Sequence, residues 1–225
     1  MVSAVIAAGG KGTRMGADKN KVFLPLYGKT VLWHTLRAFE ENDGTDEIIL
    51  VVGAHETETA KSIAAEFPKV AAVVAGGATR QESVYNGILK TGGDIVLIHD
   101  GARALISGAE IDGAIGDCRK FGAAAVGVRS KDTLKRADGG FIAGTIDRDN
   151  CYHIHTPQVF FRDIILAAHE KAREDGFSAT DDCMLVEKYG GCKIKITEGS
   201  YENIKITTPE DMELAEKILQ RRRFK

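Results

Sequence analysis

Val2-Ser3-Ala4-Val5-Ile6-Ala7-Ala8-Gly9-Gly10-Lys11-Gly12-Thr13-Arg14-Met15-Gly16 is the stretch on which the fold reading turns. The apolar run at 2–6 reads as a buried strand. It empties into a loop holding Gly9, Gly10, Gly12 and Gly16, with the cations Lys11, Arg14, Lys19 and Lys21 among and just behind them. Glycine lets a backbone approach a ligand closely, because no Cβ stands in the way. Successive N–H groups in such a loop can form a nest for an anion. Full positive charges beside those dipoles suit a polyphosphate. A loop of this kind directly after the first strand sits where open α/β sheets bind ligands.

Neither common phosphate fingerprint is present. Gly10-Lys11-Gly12-Thr13-Arg14-Met15 begins like G-x-G-x-x-G but ends in Met15, and a Walker A reading of Gly28-Lys29-Thr30 requires glycine where Phe23 stands. The plain alternative is a solvated basic loop.

Working outward, β–α alternation is regular. Apolar runs at 47–53, 70–75, 94–99 and 123–128 predict central parallel strands. Helices are expected over 29–41, 56–67, from Thr79 and over 107–121; Thr79/Glu82 and Ser107/Glu110 have capping-box spacing. Alternation of this kind predicts an α/β fold with a doubly wound, mostly parallel sheet. It breaks at about 132–150, where Asp138-Gly139-Gly140 centres a hairpin with too little apolar surface to stand alone. A partner covering it would make it a dimerisation arm. Beyond it, helices are expected at 163–174, at 183–189 with Thr180 as cap, and from Thr208-Pro209-Glu210-Asp211, with a strand at 193–197. His153 and His155, two apart, would share a face of a strand, with no third metal ligand evident.

The 225 residues suffice for one large α/β domain spanning 1–225. A net charge of −2 excludes the global basic field of a nucleic-acid binder. Cys118, Cys151, Cys183 and Cys192 lack C-x-x-C spacing and read as reduced thiols of a cytoplasmic protein. No apolar run approaches the roughly 20 residues of a membrane span, and no signal-peptide pattern is seen at the N-terminus.

The glycine-rich run with Arg14, followed by Asn20-Lys21-Val22-Phe23-Leu24-Pro25, resembles the signature loop of nucleotidylyltransferases. Four further stretches extend the likeness over essentially the whole chain: Gly76-Gly77 with Ser83, His99-Asp100-Gly101-Ala102-Arg103, Thr156-Pro157-Gln158-Val159-Phe160 and Asn203-Ile204-Lys205. Together they resemble the cytidylyltransferase family of the isoprenoid pathway. The chain departs from that family's pattern at Ala78, where an acidic residue is usual, and at Ala104, where proline is usual.

The resemblance implies a Rossmann-like sheet of the nucleotide-diphospho-sugar transferase type, and transfer of a cytidylyl group from CTP to 2-C-methyl-D-erythritol 4-phosphate with Mg²⁺ present. It implies Arg14 and Lys21 as catalytic residues. Ala8, Gly9, Gly10, Gly12, Gly77, Ser83 and Asp100 would hold the nucleotide, with Asp100 also the metal ligand. Arg103, Thr156, Thr180 and Lys205 would hold the acceptor, with Arg148 reaching over from the second subunit of a homodimer with swapped arms. No nucleic acid or membrane partner is implied. Ribitol 5-phosphate is the alternative acceptor. A non-catalytic nucleotide-binding protein, the rival of another class, would be expected to lack Arg14 and Lys21 or Asp100.

Overall fold

The structure, a computed structural model, describes residues 1–10 and 20–223. Lys11, Gly12, Arg14 and Lys19 therefore lie outside the described residues. In chain order the elements are β1 (Val2–Ala7), β2 (Pro25–Leu26), β3 (Lys29–Thr30), α1 (Val31–Glu40), β4 (Glu47–Val52), α2 (Thr57–Ala64), β5 (Val70–Ala75) and α3 (Arg80–Ile88). They continue with β6 (Ile95–Asp100), α4 (Gly108–Phe121), β7 (Ala123–Arg129), β8 (Leu134–Asp138), β9 (Phe141–Ile146) and β10 (Tyr152–Phe161). Last come α5 (Arg162–Glu174), α6 (Asp182–Tyr189), β11 (Lys195–Glu198) and α7 (Pro209–Arg223). No helix among the described residues is long and apolar enough to cross a membrane.

Seven strands form one sheet in the order β11-β7-β10-β6-β1-β4-β5. All pairings in it are parallel except those of β10, which runs antiparallel to both neighbours. Alternate residues of the central strands feed two cores, as a sheet covered on both faces requires. Ala4, Ile6, Ile48, Leu50 and Leu97 pack with Leu32, Leu36 and Phe39 of α1 and Ile111 and Ile115 of α4. Val5, Ile49, Val51, Val96 and Ile98 pack with Val84 and Ile88 of α3, Ile165 of α5 and Leu185 and Val186 of α6. The doubly wound, mostly parallel expectation is met.

β10 is the element the apolar pattern did not announce. Pro157 cannot donate to a ladder and argues against a central strand, yet β10 lies between β6 and β7. The register shifts between Ile154 and Gln158, so Pro157 sits in an irregularity where a ladder bond is absent anyway. Strand β10 thereby brings Thr156 and Gln158 into the middle of the sheet.

The hairpin β8–β9 pairs only with itself and turns at Gly139 and Gly140, both with positive φ. Phe141 and Ile142 at its tip are 80% and 73% exposed. Two such apolar side chains on one turn make an unusually open surface.

Helix α3 lies unusually close to the sheet. A Cβ on Gly87 would fall 2.5 Å from Val5 Cγ1 and 2.9 Å from Val51 Cγ2. Both valines are buried, so neither can swing away. Gly87→Val should lower the stability measured by urea unfolding by about 1–3 kcal/mol, the usual cost of overpacking a filled core. An unchanged midpoint would mean that α3 can lift from the sheet.

Candidate active site

Strand order reverses beside β1: the chain runs from β1 outward through β4 to β5, then returns to place β6 on the other side of β1. The carboxyl ends at such a switch point bound a crevice. A cleft of about 660 Å³ opens there, lined among others by Ala8, Gly9, Gly10, Lys21, Gly77, Ser83 and Asp100. Seven of the expected nucleotide-site and catalytic residues thus face one space.

Backbone closure explains the glycine loop's anchorage. Ala8 N donates to Val51 O at 2.7 Å. The Asn20 amide donates to Ala8 O at 2.8 Å and to Glu56 Oε2 at 3.2 Å, and its own oxygen accepts from Val22 N. Buried Asn20 is therefore the staple that ties the start of Lys21–Phe23 back to β1. The sequence marked it only as part of a motif.

On the opposite wall, Gly76 and Gly77 lie hard against α3. A Cβ on Gly76 would be 2.6 Å from Ser83 Oγ, and one on Gly77 would be 2.4 Å from Glu82 Cβ. Neither has positive φ, so close approach rather than backbone freedom demands glycine here. Thr79 caps α3, accepting from Glu82 N at 3.1 Å. The Glu82 carboxylate accepts from Ala78 N rather than from the cap, so the expected box is only half formed. Ser83 Oγ donates to Thr79 O at 2.8 Å and accepts from Gly77 N at 3.1 Å.

Asp100 forms the floor. It is 8% exposed, with Lys205 Nζ at 2.8 Å, Arg80 Nε at 3.2 Å and Arg103 Nε at 3.9 Å. Burial alone would raise the Asp100 carboxyl, but the Arg80 and Lys205 charges outweigh it and hold the group well below the usual carboxylate range. Behind it runs a fully directed chain of hydrogen bonds. Asp100 N donates to Thr156 Oγ1 at 3.0 Å. Thr156 then donates to His99 Nδ1 at 3.0 Å, and His99 Nε2 donates to Arg103 O at 3.1 Å. Only a neutral imidazole fits this sequence of donors and acceptors. Burial indeed pushes His99 down to about 4.

A second cavity, about 540 Å³, adjoins the first and is lined by Arg103, Lys131, His153, His155, Tyr201 and Lys205 among others. Lys205 faces both cavities. Arg103 Nη1 donates to Asn203 O at 2.8 Å, and Asn203 in turn donates to Thr156 O at 3.0 Å. The expected acceptor residues therefore divide. Arg103 and Lys205 line this cavity, while Thr156 is buried behind Asp100 with its hydroxyl committed. Thr180 and Arg148 line neither cavity: Thr180 donates to Met184 Sδ, and Arg148 Nη1 donates to Lys131 O at the base of the hairpin. The expected cap on α6 is corrected. Asp181, not Thr180, accepts from Met184 N, at 2.9 Å, because Asp181 is the extended residue immediately before the helix and Met184 N is the free N–H three positions on.

Two residues of the site were not found from the sequence. Arg80 spans Asp100 and the buried Asp182 of α6, with Nη1 2.8 Å from Asp182 Oδ2. A cation in the first turn of a helix opposes the helix dipole, and that misfit was the available signal. No group of three His, Cys, Asp or Glu side chains among the described residues could hold a metal ion.

Comparisons with known proteins identify the family. Residues 2–221 match the family model described as 2-C-methyl-D-erythritol 4-phosphate cytidylyltransferase. The enzyme of that name from Desulforamulus reducens is 46% identical over 98% of this chain and 97% of its own length. That from Caldanaerobacter subterraneus is 48% identical over 98% and 99%. Among solved structures, the 4-diphosphocytidyl-2C-methyl-D-erythritol synthase of Anaerococcus prevotii superposes with a TM-score of 0.87 at 34% identity, over 97% of this chain and 98% of that one.

The buried histidines give a pH dependence of stability. His99 ionises near 4 when folded, against 6.5 in a free side chain. The unfolded chain therefore binds the proton more readily between those values. Stability should be full above about pH 6.5 and fall as pH drops toward 4, by up to ~1.4 kcal/mol per pH unit for this one group. His155, lowered to about 4 chiefly by burial with the Arg103 charge adding to it, contributes to the same limb. Urea unfolding of His99→Gln between pH 7.5 and 4.5 should show a shallower slope than the parent; an equal slope removes His99 from the account.

Proposed function

The chain belongs to the 2-C-methyl-D-erythritol 4-phosphate cytidylyltransferase family, and we infer on that footing how its two cavities carry out the reaction. The enzyme transfers a cytidylyl group from CTP to 2-C-methyl-D-erythritol 4-phosphate, giving 4-diphosphocytidyl-2-C-methyl-D-erythritol and pyrophosphate in the non-mevalonate isoprenoid pathway. The observation that carries this assignment to the site is Asp100: a motif residue on the floor of the switch-point cleft, joined through Lys205 to a second cationic cavity. Ribitol 5-phosphate, the other acceptor the sequence left open, is not favoured, since relatives at 43% to 48% identity bear the methylerythritol name.

The nucleophile is already an anion. A phosphate monoester, with a second pKa of ~6, is mostly dianionic at neutral pH and needs no general base. His99, with both ring nitrogens engaged, has no role as one. The protein's task is to bring two anions together in line and to neutralise the charge that grows on the departing pyrophosphate. In our proposal Ala8, Gly9, Gly10 and Gly12 wrap the triphosphate, and Arg14 and Lys21 take the charge on the α-phosphate and the leaving group. Gly77 and Ser83 read the base. Because Ser83 spends its proton on Thr79 O and one lone pair on Gly77 N, its remaining lone pair is an acceptor. An acceptor suits the exocyclic amino group of cytosine and not the carbonyl of uracil.

Asp100 is the cleft carboxylate suited to a divalent cation, which we take to be Mg²⁺. One carboxylate completed by substrate phosphates is a donor set Mg²⁺ accepts, and one that Zn²⁺ or Ca²⁺ does not favour. When bound there the ion supplies further charge neutralisation on phosphate oxygens. Arg103 and Lys205 hold the acceptor phosphate in the second cavity, and Thr156 supports them from behind; Thr180, which lines neither cavity, takes no part in this reading. The exposed Phe141 and Ile142 support a homodimer in which each hairpin reaches a second copy. Arg148, at the base of that arm, is then the residue offered to the neighbouring acceptor site.

Two measurements test these statements. Pyrophosphate release should require CTP with 2-C-methyl-D-erythritol 4-phosphate, and be at least about tenfold weaker with UTP, given ~1.4 kcal/mol for one mismatched hydrogen bond. Preference for ribitol 5-phosphate would move the enzyme to another pathway. In sedimentation at micromolar concentration the protein should be a dimer, and the double variant Phe141→Asp/Ile142→Asp a monomer with reduced turnover. A fully active monomer would remove the arm from the mechanism.

A further inference from the structure

Arg80 is the first residue of α3, but its side chain pairs outside that helix. Its guanidinium extends into the cleft wall, with Nε 3.2 Å from Asp100 Oδ1 and Nη1 2.8 Å from Asp182 Oδ2. Asp182 is 1% exposed, and the equally buried His169 ring lies beside it, with Nε2 3.6 Å from Asp182 Oδ1. The backbone around Asp182 is fixed independently. Gln158 Oε1 of β10 accepts from Asp182 N at 3.0 Å and Cys183 N at 3.1 Å, while Gln158 Nε2 donates to Asp181 Oδ2 at 2.8 Å. Asp182 is thus a stationary anchor, and Asp100 is the working carboxylate. The residue between them belongs to the turn that carries Gly77, Thr79 and Ser83.

We propose that Arg80 is a positioning residue for cytidylyl transfer, clamping Asp100 to Asp182 so that the base-reading turn, the cleft floor and the start of α6 keep one geometry. The proposal rests on the functional reading above. A planar guanidinium serves this purpose because it presents several N–H groups in a rigid fork and can meet two carboxylates at once. Lysine offers a single nitrogen. The loss of Arg80 leaves Asp100 with Lys205 and Arg103, so its charge stays compensated, but the carboxylate is free to follow Lys205 toward the second cavity. A displacement on the order of 1 Å at a reacting centre costs on the order of 10²-fold in rate.

The competing role for Arg80 is purely structural: to neutralise buried Asp182, whose carboxylate would otherwise be stranded. Four proteins separate the two: the parent, Arg80→Gln, Arg80→Lys and Arg80→Gln/Asp182→Asn. Each is measured for melting temperature and for kcat and KM with both substrates. Arg80→Gln should melt lower and lose about 10- to 100-fold in kcat, with KM for CTP changed less than about threefold, since misplacement of a reacting group falls on kcat. In the double variant the stranded charge is gone, so melting should return toward the parent while kcat stays at the single-variant level. Arg80→Lys should recover melting more than kcat. Recovery of both melting and kcat in the double variant overturns the proposal, because neutralising Asp182 would then be all that Arg80 does. The parent runs in the same assay, so failure of the functional reading shows as an inactive parent and is distinct from recovery by the double variant.

Discussion

A carboxylate can be kept charged in a buried position only if cations and donors surround it, and Asp100 is the place where this fold meets that condition. Its position at the carboxyl end of β6 puts it on the switch point, and its neighbours arrive from elements far apart in sequence. Arg80 comes from α3, Arg103 from the turn after β6 and Lys205 from the segment between β11 and α7. The surrounding backbone is organised to hold those three. Asn203 carries Lys205 into place by donating to Thr156 O, and its own carbonyl accepts from Arg103. Glu110 accepts from Ser200 N and closes the capping box of α4, tying the same segment to a core helix. Glu202, in the same segment, pairs with Arg221 and Arg222 of α7.

Strand β10 is the device that makes this arrangement rigid. A parallel sheet built only from β–α units would leave β6 and β7 as neighbours. Here an antiparallel strand separates them, and its Thr-Pro-Gln segment works in two directions. Thr156 fixes Asp100 and His99 on one side, while Gln158 secures the first backbone N–H groups of α6 on the other. Proline in the middle interrupts the ladder where the register already shifts. The hydrogen-bonding groups that a regular strand would spend on its neighbours are spent instead on the site.

The chemistry needs little beyond placed charge. Two anionic substrates approach each other only where cations offset their repulsion, and the two cavities share one of theirs, Lys205. Among the described residues Arg80, Arg103 and Lys205 are compensated by Asp100 and Asp182.

Much of this was legible from residue order alone. Apolar runs with β–α spacing determined the sheet, because a strand covered on both faces must be apolar at nearly every position. The glycine-rich loop, the Gly76-Gly77 turn and Asp100 announced the cleft, because close approach and anion binding restrict residue types locally. Arg80 and Asp182 stayed hidden for the opposite reason: Asp182 looks like an ordinary first-turn acid, and Arg80, though a cation at the wrong end of its helix dipole, carries no local sign of which carboxylates it meets. Their meaning arises only when α3 and α6 are set on the same face of the sheet. β10 was likewise obscured, since Pro157 contradicts local strand signals and only the pairing partners on either side resolve the conflict. The sequence by itself determined the layers, the loop and the class of chemistry, all of which follow from local pattern. The tertiary structure alone decided which charges meet, because ion pairing depends on distances between elements that no local pattern encodes.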